Sequence, residues 1–246
     1  MSNTLAIFKR ELGAYFATPV AAVFIFIFLV ALFAFTFGAG FFTGEPTDQA
    51  DLQSFFLLHP WVFVLFIPAI SMRLWSEERR VGTIELLMTL PITTFQAVLG
   101  KFLAAWCFVA ISLALTFSIW FTVNYLGEPD NGVIFASYVG SLLMAGAYLS
   151  IGSFASALSK NQVIALVISV FICFGFVLAG MPVVLDPLSG FLPDSALNTI
   201  RSFSFLTHFE GISKGLIDLR NLIFFGSLMG CFLVANAAVV DFKKAS

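Results

Sequence analysis

The stretch PVAAVFIFIFLVALFAFTFGAG, residues 19–40, runs for 22 positions without a charged side chain. A helix needs about 20 residues to cross the roughly 30 Å of hydrocarbon in a bilayer. Five more long apolar runs follow, at residues 55–72, 102–126, 133–158, 162–181 and 221–240. A β-barrel would show alternating segments of about ten residues, whereas these runs are continuous. The sequence therefore predicts an all-α polytopic membrane protein, residues 1–246, whose single transmembrane domain has six transmembrane helices.

The overall composition agrees with a membrane protein. Of the 246 residues, 60% are hydrophobic and 11% are charged, whereas about 25% are charged in an ordinary soluble domain. The 32 phenylalanines occur in every apolar run, which suits surfaces that face lipid tails. The net charge is −2 and there is no basic tail, so nucleic-acid binding has no electrostatic basis.

Residues 4–16, before the first run, have the pattern of a helix that lies along the membrane surface. Their leucines and phenylalanines fall on one helical face, whereas Lys9, Arg10 and Glu11 fall elsewhere. This arrangement is typical of an interfacial amphipathic helix. We expect the chain to enter the bilayer at Pro19.

The positions of lysine and arginine predict the orientation. With the N-terminus inside, nine of these residues lie on the cytoplasmic side, and only Arg201, Lys214 and Arg220 lie outside. Cytoplasmic loops carry an excess of Lys and Arg. Both termini are therefore predicted to be cytoplasmic.

The outer segment at residues 182–220 is too long and too apolar for a simple loop. Asp194 or Ser195 could cap one short helix, and Thr207 with Glu210 could form the capping box of another. We expect two short helices that pack on the outer end of the bundle or dip into it as re-entrant helices.

The most highly charged segment, residues 76–90, begins with SEERRVGTIE. Glu77 and Glu78 would occupy the first turn of a helix that Pro91 ends, and Thr93 with Gln96 forms a capping box for the next span. Flanking charges can serve only to fix topology. A capped helix with charges of both signs is better explained as a docking element for a cytoplasmic protein.

Several kinds of chemistry are missing from the sequence. There is no GxxxxGK[ST] phosphate loop and no HExxH or GxSxG motif. None of the six runs has an Asp, Glu, Lys or Arg in its middle, although ion-coupled transporters usually need such groups. Any transport is therefore expected to draw its energy from outside this chain, and the chain itself is not expected to be an enzyme.

Two motif regions carry a resemblance to a known family. GTIELLMTLPIT at residues 82–93 follows the second run, and FSFLTHFEGISKGLIDLRNLIFF at residues 203–225 leads into the sixth. Together with the six runs and the amphipathic start, they resemble the permease subunits of type-2 ABC transporters, and within these the gliding-motility GldF-like permeases.

The resemblance implies a coupling helix that docks on a cytoplasmic ATPase subunit. The implied docking residues are Glu77, Glu78, Arg79, Arg80, Thr83, Glu85 and Leu86. The resemblance also implies two ATPase subunits, which bind ATP and Mg, and a homo- or heterodimer of permease chains. The second and fifth spans would line a conduit, for which the candidates are Phe63, Phe66, Phe171 and Phe174. A membrane-anchored extracytoplasmic accessory protein is a further implied partner.

We therefore expect an inner-membrane permease that couples ATP hydrolysis by its partners to export, or to mechanical work on an envelope substrate. The alternatives are an ATP-independent channel or secondary transporter, a membrane scaffold of an envelope complex, and a membrane-embedded enzyme. The enzyme would have to use Asp194, His208, Glu210 and Asp218, which have no recognised catalytic spacing.

Overall fold

The computed structural model describes residues 3–39, 52–84 and 91–244. These ranges contain long and short helices and no strand, which confirms the predicted all-α fold. In chain order the helices are α1 (Asn3–Phe16), α2 (Pro19–Ala39), α3 (Gln53–Ser71), α4 (Arg73–Val81), α5 (Thr94–Ala114), α6 (Phe117–Leu126), α7 (Asn131–Leu158), α8 (Gln162–Leu178), α9 (Pro182–Ser189), α10 (Asp194–Arg201), α11 (Phe205–Ser213) and α12 (Leu219–Lys244).

Five segments of the described chain are long and apolar enough to cross a membrane. They are Ala21–Gly38, Gln53–Val81, Thr94–Leu126, Asn131–Leu158 and Leu219–Lys243. A sixth candidate is the pair α8 and α9, which is bent by 67° at a short break. Counting that pair as one span gives six, the number that the sequence predicts, and the bend lies at the end of the fifth predicted span, after α8.

The bundle is built around α7, which packs against α3, α5, α8, α11 and α12. Many of its buried residues are Gly, Ala or Ser, and at these positions its neighbours approach closely. The tightest approach is to the end of α3, where a Cβ added to Gly152 would lie 1.8 Å from Ser71 Oγ. No larger residue fits at this position without moving one of the two helices.

The two capping boxes that the sequence predicts differ in whether the structure confirms them. The capping box before α5 is confirmed, because Gln96 N donates to Thr93 Oγ1 and Thr93 N donates to Gln96 Oε1, both at 3.2 Å. The capping box at Thr207 and Glu210 is wrong, because α11 already begins at Phe205 and Thr207 lies inside it.

The segment between α8 and α12 contains three short helices, α9, α10 and α11, rather than the two expected. α9 and α10 have no buried residue, whereas α11 packs on α7, α12 and α3. His208 fastens α11, since its ring nitrogens lie 2.7 Å from Asn221 Oδ1 and 2.8 Å from the Ser202 carbonyl oxygen. Both ring nitrogens of His208 are therefore used in hydrogen bonds that hold α11 in place.

Candidate functional site

The charged residues that sequence analysis selected lie on α4, a direct continuation of α3. This helix begins at Arg73, so Glu77 and Glu78 occupy its middle instead of its first turn. It ends at Gly82, whose φ of 81° is left-handed and therefore favours glycine. The predicted boundary at residue 76 thus differs from the structure, because the second span does not stop before the charges.

A side chain from α7 holds the junction between α3 and α4. Ser156 Oγ accepts hydrogen bonds from the backbone N–H groups of Trp75 and Ser76, both at 3.0 Å, and donates to the Met72 carbonyl at 2.8 Å. Ser156 therefore joins α7 directly to the backbone of the α3–α4 junction.

Two side chains of α4 reach the connection between α7 and α8. Arg79 Nη1 donates to the Ala157 carbonyl at 2.7 Å, and Gln162 Nε2 donates to Glu77 Oε2 at 2.6 Å. Glu77 also pairs with Arg73 and Arg80 on its own helix, at 3.3 and 3.0 Å. These contacts attach α4 to the fourth and fifth predicted spans.

On its other side, α4 meets a buried lysine of α5. Lys101 is 2% exposed, and its Nζ lies 2.8 Å from Glu78 Oε1 and 3.2 Å from Glu11 Oε1. The same Nζ lies 5.4 Å from the centre of the buried Trp75 ring, within cation–π range. Arg10 also lies 3.7 Å from Glu78. We call Arg10, Glu11, Glu78 and Lys101 the Lys101 cluster, which joins α1, α4 and α5.

Sequence analysis missed the roles of Glu11 and Lys101 because it treated them as membrane-flanking charges. A usable signal was present, since Lys101 falls at helical spacing from Ala97, Ala105 and Phe108 on the face of α5 that is buried. A lysine on such a face requires a partner. The sequence pattern does not identify that partner, because it comes from other helices.

α1, which the sequence predicts to be interfacial, contacts other parts of the chain along its length. Its Ile7 packs on Gly100 of α5, where an added Cβ would lie 2.8 Å from Ile7 Cγ2. Near its start, Asn3 Nδ2 donates to the Pro91 carbonyl at 3.1 Å. Pro91 follows residues 85–90, the part of the predicted docking helix that lies outside the described residues. α1 therefore contacts the chain both before and after that part.

The Lys101 cluster makes the stability of the protein depend on pH. Burial alone would raise the pKa of Glu11, but Lys101 and Arg10 favour its charged form and place the pKa below the ordinary 4.5. The stabilisation is complete above 4.5 and is lost as pH falls through the lowered value. We expect the melting temperature of Glu11→Gln to lie below that of wild type at neutral pH and to meet it in acid. Melting curves in detergent over this range test this, and parallel curves would contradict it.

The remaining docking candidates face outward where they are described. The Arg80 side chain is 62% exposed, and Thr83 is exposed. Glu85 and Leu86 lie outside the described residues. α4 is thus attached on two sides, through Glu77 and Arg79 on one and through Glu78 on the other, and its open face carries Arg80.

The four conduit candidates fall into different environments. Phe63 is fully buried, with its ring centre 6.1 Å from that of Phe28, and Phe66 is partly buried beside α2. Phe171 is 80% exposed on α8, and Phe174 is 41% exposed and 6.4 Å from Trp61. The structure does not place all four on one exposed surface, and their role in a conduit stays a prediction.

Comparison with known proteins gives the family. Residues 48–239 match the model of the family described as ABC-2 family transporter protein. The chain belongs to this family. This ABC-2 family chain is a multi-pass membrane protein and the permease component of an ABC transporter, not its ATPase. Membership implies association with an ABC ATPase subunit. Among curated proteins, none matches the chain.

Proposed function

We propose that this permease receives the movement of a cytoplasmic ATPase subunit at α4 and the segment that follows it, and that it uses this movement for transport. The observation that supports this proposal best is the Lys101 cluster. An exposed charged surface alone would bind a partner, but α4 is also joined through buried charges to two other helices. Such a joint can transmit a displacement.

The route of the displacement follows from the contacts of α4. On one side, Glu78 acts through Lys101 on α5 and α1. On the other side, Arg79 donates to the Ala157 carbonyl of α7, and Ser156 of α7 donates to the Met72 carbonyl at the α3–α4 junction. Because packed helices shift as bodies instead of deforming continuously, docking at the open face of α4 moves several spans together.

The finer parts of the proposal follow the family resemblance. Two permease chains, identical or different, bind two ATPase subunits that hold ATP and Mg, with a conduit near α3 and α8. The complex lies in the inner membrane with both termini in the cytoplasm, and it exports or pulls on an envelope substrate. A GldF-like relation and an anchored accessory protein belong to the same proposal.

The test reverses two charges in the segment at residues 76–90, which we propose to dock on the ATPase subunit. We expect the double variant Arg80→Glu, Glu85→Lys to insert normally and to lose most of the ATPase subunit that co-purifies with the wild-type chain in mild detergent. The exposed ion pair of Arg80 with Glu77 contributes little to stability, so folding should be retained. Co-purified ATPase is measured by quantitative mass spectrometry and ATP hydrolysis.

The matched control is Arg220→Glu, an exposed charge reversal at the start of α12. It should keep the ATPase. Equal ATPase recovery with the double variant and the control would contradict docking at this segment. If no ATPase co-purifies with the wild-type chain and no ATP hydrolysis is measured in several detergents, the results favour the scaffold or channel alternatives.

A further inference from the structure

A cavity of about 310 Å³ lies beside the Lys101 cluster, between α1, α2, the α3–α4 junction and α5. Its charged lining residues are Glu11, Arg73, Glu77, Glu78 and Lys101. Most of its other lining residues are apolar, including Phe24, Ile70, Leu74 and Phe108. A cavity with both kinds of lining suits an amphiphile, because each end of such a molecule finds matching surroundings.

The position of the cavity agrees with a lipid. It lies where α1 is followed by α2 at Pro19. On the predicted topology, in which α1 lies along the membrane surface, this is the level at which lipid head groups meet acyl chains. Small residues, among them Ala14 and Ala69, leave the space open. Its volume is near the lower end of ligand pockets, roughly 300 Å³. It therefore has room for a head group and the start of a chain.

The charges favour a zwitterionic head group over an anionic one. Each of the three carboxylates already has a cationic partner within the described chain, so no strong excess of positive charge attracts an anion. Arg73 is about half exposed and has one carboxylate partner, Glu77, among the described residues. Its guanidinium can therefore still bind a phosphate.

A second feature, the Glu78 carboxylate, favours a head group that carries an ammonium. Glu78 Oε2 is buried and accepts no hydrogen bond from the described part of the chain. A buried acceptor without a donor is costly. Glu78 is also among the residues that line the cavity, so a donor bound there is close to this side chain. A primary ammonium has N–H donors, which a trimethylated ammonium lacks.

We propose that this cavity binds a phospholipid with an ethanolamine head group from the cytoplasmic leaflet, with its ammonium at Glu78 and its phosphate at Arg73. The lipid completes the contact between α1 and α4. The choice of leaflet rests on the orientation given under the proposed function, but the site does not depend on ATPase docking, because the lipid binds the chain whether or not an ATPase is attached.

The experiment measures lipid retention. The full-length chain is purified through mixed micelles with equal amounts of phosphatidylethanolamine, phosphatidylcholine and phosphatidylglycerol with the same acyl chains, and the bound lipid is counted by mass spectrometry. We expect phosphatidylethanolamine to be retained over phosphatidylcholine by roughly tenfold, the factor that one charge-assisted hydrogen bond supplies. Equal retention of the two, or a preference for phosphatidylglycerol, would overturn the proposal.

Two variants locate the site. Ala14→Phe fills the cavity without changing a charge, and it should abolish the preference. Ala22→Phe adds the same ring at an exposed position of α2 that does not line the cavity, and it should keep the preference. An unchanged preference in Ala14→Phe refutes this location. If Ala14→Phe does not fold, Arg73→Gln replaces it, and retention equal to that of wild type would then count against the site.

Discussion

Replacing Lys101 with methionine is expected to destabilise the protein by about 3–5 kcal/mol, the cost of removing one partner from a buried ion pair. Methionine fills similar space, so the loss comes from the charge and not from a cavity. Glu11 and Glu78 would be left facing each other without the ammonium between them. The change is measured as the shift in melting temperature of the purified chain in detergent.

A combined variant separates charge from packing. In Lys101→Met with Glu11→Gln and Glu78→Gln, no unpaired charge remains in the Lys101 cluster apart from the exposed Arg10. Replacing a whole buried ion group is often close to neutral for stability, so this triple variant should recover most of the loss. If the single and the triple variants melt at the same temperature, the ion pairs are not what holds α1 and α4 to α5.

Replacing Gly152 with valine is expected to prevent normal packing of α3 on α7. A Cβ at this position lies 1.8 Å from Ser71 Oγ and 2.7 Å from Ser71 Cβ, so one helix has to move. Inserting atoms into a packed core costs about 1–3 kcal/mol or more. The loss is measured by the amount of monodisperse protein and its melting temperature.

The matched control is Gly230→Val on α12, where an added Cβ meets nothing within 4 Å. It carries the same change in helix propensity without the clash, and we expect it to behave nearly as wild type. Combining Gly152→Val with Ser71→Gly should recover part of the stability, because it removes the side chain that clashes. Equal losses in Gly152→Val and Gly230→Val would mean that the close contact is unimportant.

The sequence predicts what depends on local pattern. The long apolar runs gave the membrane-spanning helices, and the Thr93–Gln96 box gave the start of α5, because both signals lie within one segment. The sequence does not predict which residues the charged side chains contact. The partners of Lys101 come from α1 and α4, and those of Arg79 and Glu77 from the α7–α8 connection, so no single window contains them.

Local pattern also fails where tertiary structure decides a helix boundary. Thr207 and Glu210 have the spacing of a capping box, but packing of Phe205 and Phe209 in the core starts α11 earlier. Similarly, Glu77 and Glu78 look like a first turn, yet Ser156 of α7 keeps the helix of the second span running past them. In both cases a contact between distant residues overrides a short-range preference.

The bend after α8 leaves this helix shorter than the bilayer core. α8 has 17 residues, and at 1.5 Å per residue it rises about 26 Å, which is less than the roughly 30 Å of hydrocarbon. Its exposed apolar residues include Val163, Val167 and Phe171. A helix shorter than the hydrocarbon is accommodated by local thinning of the bilayer, by snorkelling of flanking side chains or by association with another chain. Association of α8 with the second chain of the proposed dimer is therefore one way to relieve the mismatch.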